Sequence, residues 1–298
     1  MNLQTRAPDP VAAAETRTGV ALRVSFFAAL VVIGFFFLGP AFLHTFGIVV
    51  AGTLGLFLTG LLANFLTLRI FDRRPVIAIG LGMGHGWARN LLLGFLLGAG
   101  CAALMLAAPL LGGAGHFVTR TAAISLPWWS IMFYFAVLFF GAAGEEMVFR
   151  GYAFQLLIQK LGPFATVLPV AVIFGLAHGL NPNSSALGVT NTILWGILLG
   201  YAFLRSHDLW LPIGLHYGWN VVLPLFGVNL SGLTIEVTRY SYRWDLQPLW
   251  SGGTYGPEGG LLTTIFVIAL FFVMARAPVV RQPAAIARIL NEPELYSF

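Results

Sequence analysis

The chain has 298 residues, of which 58% are hydrophobic and 9% charged, whereas soluble domains carry about 25% charged residues. This composition predicts a polytopic membrane protein. The formal charge of +5 comes from basic residues scattered at the ends of apolar runs, so it does not indicate a nucleic-acid partner. The single cysteine, Cys101, excludes an intrachain disulfide, and its apolar surroundings indicate packing.

Apolar runs of about 17–25 residues predict an all-α fold of about eight transmembrane helices. The first run is interpreted as an uncleaved anchor, because no small-x-small cleavage site follows it. Within the third and sixth runs, the pairs Gly94/Gly98 and Gly196/Gly200 have a spacing typical of close helix packing in lipid. The predicted spans are Leu22–Gly39, Phe46–Leu68, Leu91–Leu111, Trp128–Gln155, Phe164–Leu180, Thr190–Leu204, Leu211–Phe226 and Leu261–Ala275.

These runs divide the chain into five parts. Residues 1–20 are expected to form a disordered, cytoplasmic N-terminal tail, and residues 21–127 to form three transmembrane helices. Residues 128–226 are interpreted as the functional core, and residues 261–298 as the last helix and a cytoplasmic tail. Between them, residues 227–260 are predicted to be an external loop that forms a short hairpin or a lid.

The basic residues predict the orientation in the membrane. With the N-terminus inside, thirteen of the sixteen Lys and Arg residues fall on the inner side, and only Arg120, Arg239 and Arg243 fall outside. The positive-inside rule then favours a multi-pass protein of the cell's inner (plasma) membrane with both termini in the cytoplasm.

Two adjacent acids, Glu145 and Glu146, lie in the fourth apolar run and are followed by Arg150. A carboxylate within a membrane span costs roughly 2.5–3.5 kcal/mol even on lenient insertion scales, so such residues usually have a function. The alternative is a helix end at the membrane surface. Glu146 and Arg150 are spaced i, i+4 with the acid first, which predicts an ion pair. Glu145 points about 100° away around the helix and is left without that partner, as expected of a general base.

Three more polar residues interrupt later spans. His178 ends the sequence Phe174-Gly-Leu-Ala-His178, and His216 and Asn220 bound the sequence His216-Tyr-Gly-Trp-Asn220. A lone histidine in a span is more often a core residue bonded to a carbonyl than a catalytic one. His207, which lies near Arg205 and Asp208, is interpreted as a solvated loop residue.

Helix geometry predicts how these groups meet. If the fourth and fifth spans form a hairpin that turns near residues 161–163, Glu145 and His178 both lie about 22 Å from the turn and face each other. The fourth helix must then be long and continuous, with 155–160 as a polar extension into the cytoplasm. His216 and Asn220 share one helix face, but His216 is expected to lie shallower than Glu145 unless tilt or a shorter sixth span closes the gap. The polar site is thus predicted between the fourth, fifth and seventh helices.

With its three motifs, the chain resembles the CPBP family, the type II CAAX prenyl endopeptidases and their bacterial relatives in bacteriocin processing and self-immunity. The family pattern is Glu-Glu-x-x-x-Arg, then Phe-x-x-x-His, then His-x-x-x-Asn/Asp. Here these motifs read Glu145-Glu146-Met-Val-Phe-Arg150, Phe174-Gly-Leu-Ala-His178 and His216-Tyr-Gly-Trp-Asn220. Each motif alone is a weak signal, but three in order on predicted spans are specific.

The resemblance implies an eight-helix intramembrane endopeptidase that cleaves a membrane peptide or protein, lipidated or not. It implies that Glu145 activates water with the help of His178, and that His216 and Asn220 stabilise the oxyanion. Glu146 and Arg150 would support the site.

Two questions stay open at this level. Glu145, His178 and His216 could form a two-His-one-Glu zinc set, but Asn220 suits an oxyanion hole better than zinc ligation, so no metal or other cofactor is favoured. The function could alternatively be that of a proton-coupled transporter, or of a non-catalytic membrane scaffold or immunity protein.

Overall fold

The computed structural model describes residues 17–120 and 127–282, with the side chains of residues 44 and 45 left out. This part of the chain is mostly helical, with a two-stranded sheet and irregular connections, so the all-α membrane fold is confirmed. Of the predicted tails, residues 1–16 and 283–298 lie outside the described residues, while 17–20 already belong to the first helix. The main elements are α1 (Arg17–Thr67), α2 (Trp87–Leu111), β1 (Gly115–Thr119), α3 (Trp128–Phe149), α4 (Tyr152–Leu161), α5 (Phe164–His178), α6 (Ala186–Ser206), α7 (Trp210–Leu225), β2 (Tyr240–Trp244), α8 (Pro248–Ser251) and α9 (Leu261–Arg276).

Five apolar segments of the described chain are long enough to cross a membrane. The first two are Arg17–Leu43 and Phe46–Asp72, which are separated by the kink of α1 at Gly47 (φ 77°, ψ 172°), and the second continues past the end of α1 through a π-helical turn, Leu68–Asp72. Helices α5, α7 and α9 have 15, 16 and 16 residues, fewer than the about 20 that a perpendicular span needs. The predicted number of eight spans is therefore not established, although each predicted run coincides with helix.

Helix α7 is held against α2 by glycines on both partners. A Cβ atom at Gly98 would lie 2.0 Å from the carbonyl oxygen of Leu215, and one at Gly94 would lie 2.3 Å from a carbonyl of the same helix. In the opposite direction, Cβ atoms at Gly214 and Gly218 would lie 2.2 and 2.3 Å from carbonyl oxygens of α2. The backbones approach so closely because no side chain intervenes, which is how membrane helices pack without a hydrophobic driving force.

The fourth predicted span was expected to be one long helix, and that prediction was wrong. It breaks at Arg150–Gly151 into α3 and α4. Asn64 of α1 satisfies the backbone there: its amide nitrogen donates to the Met147 carbonyl at 2.9 Å, and its oxygen accepts from the Tyr152 N–H at 2.8 Å. Such partners are required because an unpaired backbone group in lipid costs several kcal/mol.

Gln155 follows the same break and was expected to begin a cytoplasmic extension. It is buried instead, and its amide donates to the carbonyls of Arg150 and Ile79 at 2.9 and 2.8 Å. Helix α4 is therefore packed into the protein and does not project from it.

The α6–α7 turn is recessed within the protein. His207, expected to be solvated, is 9% exposed and adopts a left-handed conformation (φ 55°). Burial and, after it, the charge of Arg281 lower its pKa. The Leu209 N–H donates to the Gly80 carbonyl at 3.0 Å, and the Gln282 N–H donates to that of Ser206 at 2.7 Å, so other segments cover the turn. Because α7 starts inside the protein, His216 lies deeper than its distance from a surface turn predicts.

The segment 227–260 packs onto the helices from the end opposite this turn. Its strand β2 pairs antiparallel with β1, in the register Gly115↔Trp244 to Thr119↔Tyr240, so this strand joins a distant connection of the chain and not a hairpin within the segment. Before β2, Leu230 and Leu233 exchange backbone hydrogen bonds of 2.9 and 2.8 Å around Ser231 and Gly232. We call residues 230–233 the roof turn, since three of them line the cavity described next.

Candidate active site

Glu145 meets both histidines of the motifs. Its Oε2 atom lies 3.7 Å from Nε2 of His178 and 3.8 Å from Nε2 of His216. This oxygen is buried and has no direct hydrogen-bond partner among the described residues. Polar atoms at such separations can be bridged by one water molecule. The predicted apposition of Glu145 and His178 is present, and the recessed α7 brings His216 to the same level.

Hydrogen bonds on the far side of each imidazole define its tautomer. Nδ1 of His178 lies 2.9 Å from the carbonyl oxygen of Phe174, and Nδ1 of His216 lies 2.9 Å from Oε1 of Glu146. Both partners are acceptors, so each Nδ1 carries the proton and donates it. In the neutral rings, the Nε2 lone pairs are consequently left to face Glu145.

Glu146 and Arg150 form a fully buried pair behind the site. Nη1 of Arg150 donates to Oε1 of Glu146 at 3.2 Å, as the i, i+4 spacing predicts, and Nη2 donates to the Gly196 carbonyl at 3.0 Å. The guanidinium carbon also lies 4.8 Å from the ring centroid of Phe174. Because the same Glu146 oxygen accepts from His216, this carboxylate links α3 to α7.

A cavity of about 500 Å³ contains the site. Glu145, His178, His216 and Asn220 all line it, so the structure brings these four predicted residues together, while Glu146 and Arg150 lie behind its wall. Most of the remaining wall is apolar and is contributed by α1, α3, α5, α6 and the roof turn. The α1 residues include Val31, Val32, Phe35, Phe36, Ile48 and Val49.

The donor types present include two histidines and a carboxylate, which zinc binds in many enzymes. Among the described residues, however, no group of three or more His, Cys, Asp or Glu side chains could hold a metal ion as arranged. The chemistry proposed for this site uses no metal.

Two buried polar residues near the site escaped the sequence analysis. Glu258, which lies in the segment interpreted as an external loop, is 8% exposed and lines the same cavity. Asn64 supports the helix break that follows Glu145. Asn64 had a usable signal, since it is the only strongly polar side chain in its apolar run. Glu258 had none, because an acid in a Gly- and Pro-rich segment is typical of a solvated loop.

Together, the fold and the site define a helical membrane protein in which a buried glutamate oxygen faces two histidines. Residues 127–222, about a third of the chain, are similar to the family model described as Rce1-like type II CAAX prenyl endopeptidase. The match confirms the resemblance drawn from the three motifs, and it spans α3 to most of α7. No curated protein matches the chain.

Proposed function

We propose that the protein is an intramembrane endopeptidase that hydrolyses a peptide bond of a membrane-associated substrate through water activated by Glu145 and His178. The observation that carries this proposal is the convergence of Glu145 Oε2 with the two Nε2 atoms in one apolar cavity. The protease family of the matched domain supports the same reaction class.

The cavity walls favour a substrate that comes from the bilayer. Exposed side chains of the first half of α1, such as Phe35 and Phe36, continue into the cavity lining. An apolar segment or a lipid chain attached to the substrate can therefore reach the site without crossing water. Where the apolar surface of the substrate would otherwise face water, its burial in the cavity stabilises binding by roughly 25 cal/mol per Å². A lipidated peptide is the substrate class that this surface accommodates best.

In the proposed reaction, a water molecule binds between Glu145 Oε2 and the two histidines. Glu145 accepts one proton from it, and the resulting hydroxide attacks the carbonyl carbon of the scissile bond. His178, whose Nε2 lone pair faces this point, orients the water and passes the proton on to the leaving amine nitrogen as the C–N bond breaks. The immediate products are a carboxylic acid and an amine, and transfer of the acid proton to the amine gives a carboxylate and an ammonium, so one water is consumed for each bond cleaved.

The negative charge that develops on the carbonyl oxygen needs donors. The Asn220 amide supplies one. His216 supplies a second when its Nε2 is protonated, a state that the hydrogen bond from Nδ1 to Glu146 favours. Glu146 is in turn oriented by Arg150, so the buried ion pair acts on the reaction through the histidine.

The test is cleavage in proteoliposomes of two fluorogenic peptides of identical sequence, one with an S-prenylated cysteine and one without. Glu145→Gln keeps the size and polarity of the side chain but cannot accept a proton, so we expect a rate loss of about 10²–10⁴-fold. Glu236→Gln is the matched control, because Glu236 is an exposed acid that pairs with Arg120 and does not line the cavity.

Unimpaired cleavage by Glu145→Gln would remove the general-base assignment. If the wild type cleaves neither peptide, nor membrane peptides of other sequences, the protease proposal itself is wrong. Equal rates on the two peptides would remove only the preference for a lipidated substrate.

A further inference from the structure

Glu258 is a buried carboxylate for which the proposed reaction has no role. It lies in a 3₁₀ turn, Pro257–Gly259, just before α9. Its side chain lines the active-site cavity together with Trp219 and Ser231. Burying a carboxylate is unfavourable unless hydrogen bonds compensate for the lost water, so its contacts indicate what it does.

Both carboxylate oxygens are used, and they bind different parts of the fold. Oε1 accepts a hydrogen bond from the indole Nε1 of Trp219 in α7 at 3.1 Å. Oε2 accepts from the Ser231 hydroxyl at 2.9 Å and from the Ser231 backbone N–H. Glu258 thus joins the roof turn to α7 at the cavity wall.

The hydrogen bond to Glu258 satisfies the backbone N–H of Ser231 in the roof turn. Ser231 and Gly232 both have positive φ angles, 48° and 84°, as in the tight turns that reverse a hairpin. The N–H of Gly232 donates to the Tyr255 carbonyl at 2.8 Å. The N–H of Ser231 faces the protein and has the Glu258 carboxylate as its acceptor.

Trp219 connects Glu258 to the residues that take part in the proposed reaction. It directly precedes Asn220 and follows His216 by nearly one helical turn, and its ring packs on Trp195 with centroids 4.8 Å apart. An indole held at Nε1 resists rotation of this turn of α7. The direction in which the Asn220 amide and the His216 imidazole enter the cavity is set by that rotation.

We propose that Glu258 is a positioning residue that ties the roof turn to Trp219 and so aligns His216 and Asn220 for the reaction. This inference rests on the proposed function for its effect on turnover. Its structural part, the tie between the two segments, does not depend on that function.

The backbone around Glu258 has a separate attachment, which makes a clean test possible. The Asn191 amide donates to the backbone carbonyls of Glu258 and Gly260 at 2.8 and 2.9 Å, and its oxygen accepts from the Thr264 hydroxyl at 2.7 Å. Removing the Glu258 carboxylate therefore leaves the segment fastened to α6, and we expect Glu258→Ala to fold.

The experiment compares Glu258→Ala, Glu258→Gln, Trp219→Phe and the combination of Glu258→Ala with Trp219→Phe. We expect Glu258→Ala to lower kcat by about 10- to 100-fold with little change in KM, because misplaced groups affect the transition state more than ground-state binding. Glu258→Gln retains one acceptor and should fall between Glu258→Ala and the wild type. The double variant should be no slower than the slower single variant, since both changes remove one link. Glu236→Gln, in the same segment, is expected to keep the wild-type rate.

Hydrogen exchange measured by mass spectrometry gives a readout that needs no substrate. The amide of Ser231 should exchange faster in Glu258→Ala and remain protected in Glu236→Gln. Unchanged exchange in Glu258→Ala would overturn the tie. Faster exchange with unaltered kcat, or additive losses in the double variant, would overturn the positioning role. A wild type without protease activity contradicts the proposed function, and with it the effect on turnover, whereas exchange at Ser231 still decides whether the tie exists.

Discussion

Glu146 has two partners, since one of its oxygens accepts from both Arg150 and His216. Replacing it by Gln leaves the guanidinium of Arg150 without a counter-charge in a site that is 0% exposed. Breaking a buried ion pair from one side typically costs about 3–5 kcal/mol. We therefore expect Glu146→Gln to unfold at a markedly lower temperature in detergent and to lose activity as well.

A second variant separates charge from packing at this position. Combining Glu146→Gln with Arg150→Met removes both charges, and replacement of a buried pair by apolar groups is often neutral for stability. The double variant should therefore regain part of the lost unfolding temperature but not the activity. A Glu146→Gln protein as stable as the wild type would contradict the burial of the pair.

The question of a metal is decided by measurement at Asn220 and the histidines. If water is activated without a metal, a zinc chelator leaves activity nearly unchanged, and Asn220→Ala lowers kcat by about 10²–10³-fold with a smaller effect on KM. The check is kinetics with and without chelator, together with metal content by mass spectrometry. One tightly bound zinc per chain, lost in His178→Ala and His216→Ala but kept in Asn220→Ala, would establish a zinc enzyme instead.

At the residue scale, the sequence identified polar side chains that are costly to bury and that follow the spacing of the three motifs. Glu145, His178 and His216 stand out because their surroundings are apolar, and the Glu146–Arg150 pair follows from helical periodicity alone. The bond between Glu146 and His216 joins residues 70 positions apart and depends on how α3 and α7 cross, which no local pattern encodes. Glu258 was missed for the same reason.

At the scale of elements, α2 and α7 approach each other closely through glycines, and α7 carries His216 and Asn220. We expect Gly98→Ala to destabilise the protein, because its methyl group would meet the Leu215 carbonyl and neither backbone can yield without moving α7. Thermal unfolding and activity should both decline.

Gly100→Ala in the same helix is the matched control. Nothing lies within 4 Å of a Cβ at this position, and Ala favours helix over Gly by up to about 1 kcal/mol in water. Gly100→Ala should therefore be at least as stable as the wild type. Equal behaviour of the two variants would show that α2 and α7 are not in close contact.

Two features of the elements could not be predicted from periodicity. The break at Arg150–Gly151 requires Asn64 from another helix to satisfy its backbone, and a hydropathy pattern cannot record that partner. The recessed α6–α7 turn likewise depends on distant segments that cover it. Its Arg205 and Asp208 resemble a surface loop in sequence, and His207 was misassigned for that reason.

For the whole molecule, the distribution of basic residues predicts a cytoplasmic N-terminus and C-terminus and an external segment 227–260. In a Cys101→Ala background, a cysteine at Gln247, which is exposed in that segment, should react with a membrane-impermeant maleimide added to intact cells. A cysteine at Met83, 69% exposed on the connection between α1 and α2, should react only after permeabilisation. The reverse pattern would show that the protein is inserted the other way round.

The overall architecture was predictable because apolar length alone identifies membrane helices. The number of helices that cross the membrane was not predictable, since α5, α7 and α9 are shorter than the bilayer core is thick. Helices of this length are shorter than a full span, so they depend on packing against longer neighbouring helices and on turns that lie inside the protein. The small sheet joins two connections more than 100 residues apart, and the sequence of neither strand indicates the strand with which it pairs.

The glycine contact also bears on the modularity of this protein. The segment that matches the family model, 127–222, contains most of α7 but not α2, and yet the two backbones approach closely at four glycines. A transplanted or independently expressed 127–222 fragment would present a flat, side-chain-free strip where α2 belongs. The smallest unit that recombination could move between proteins with its chemistry intact therefore begins upstream of the three motifs and before Trp87, since α1 also supplies Asn64 and part of the cavity wall.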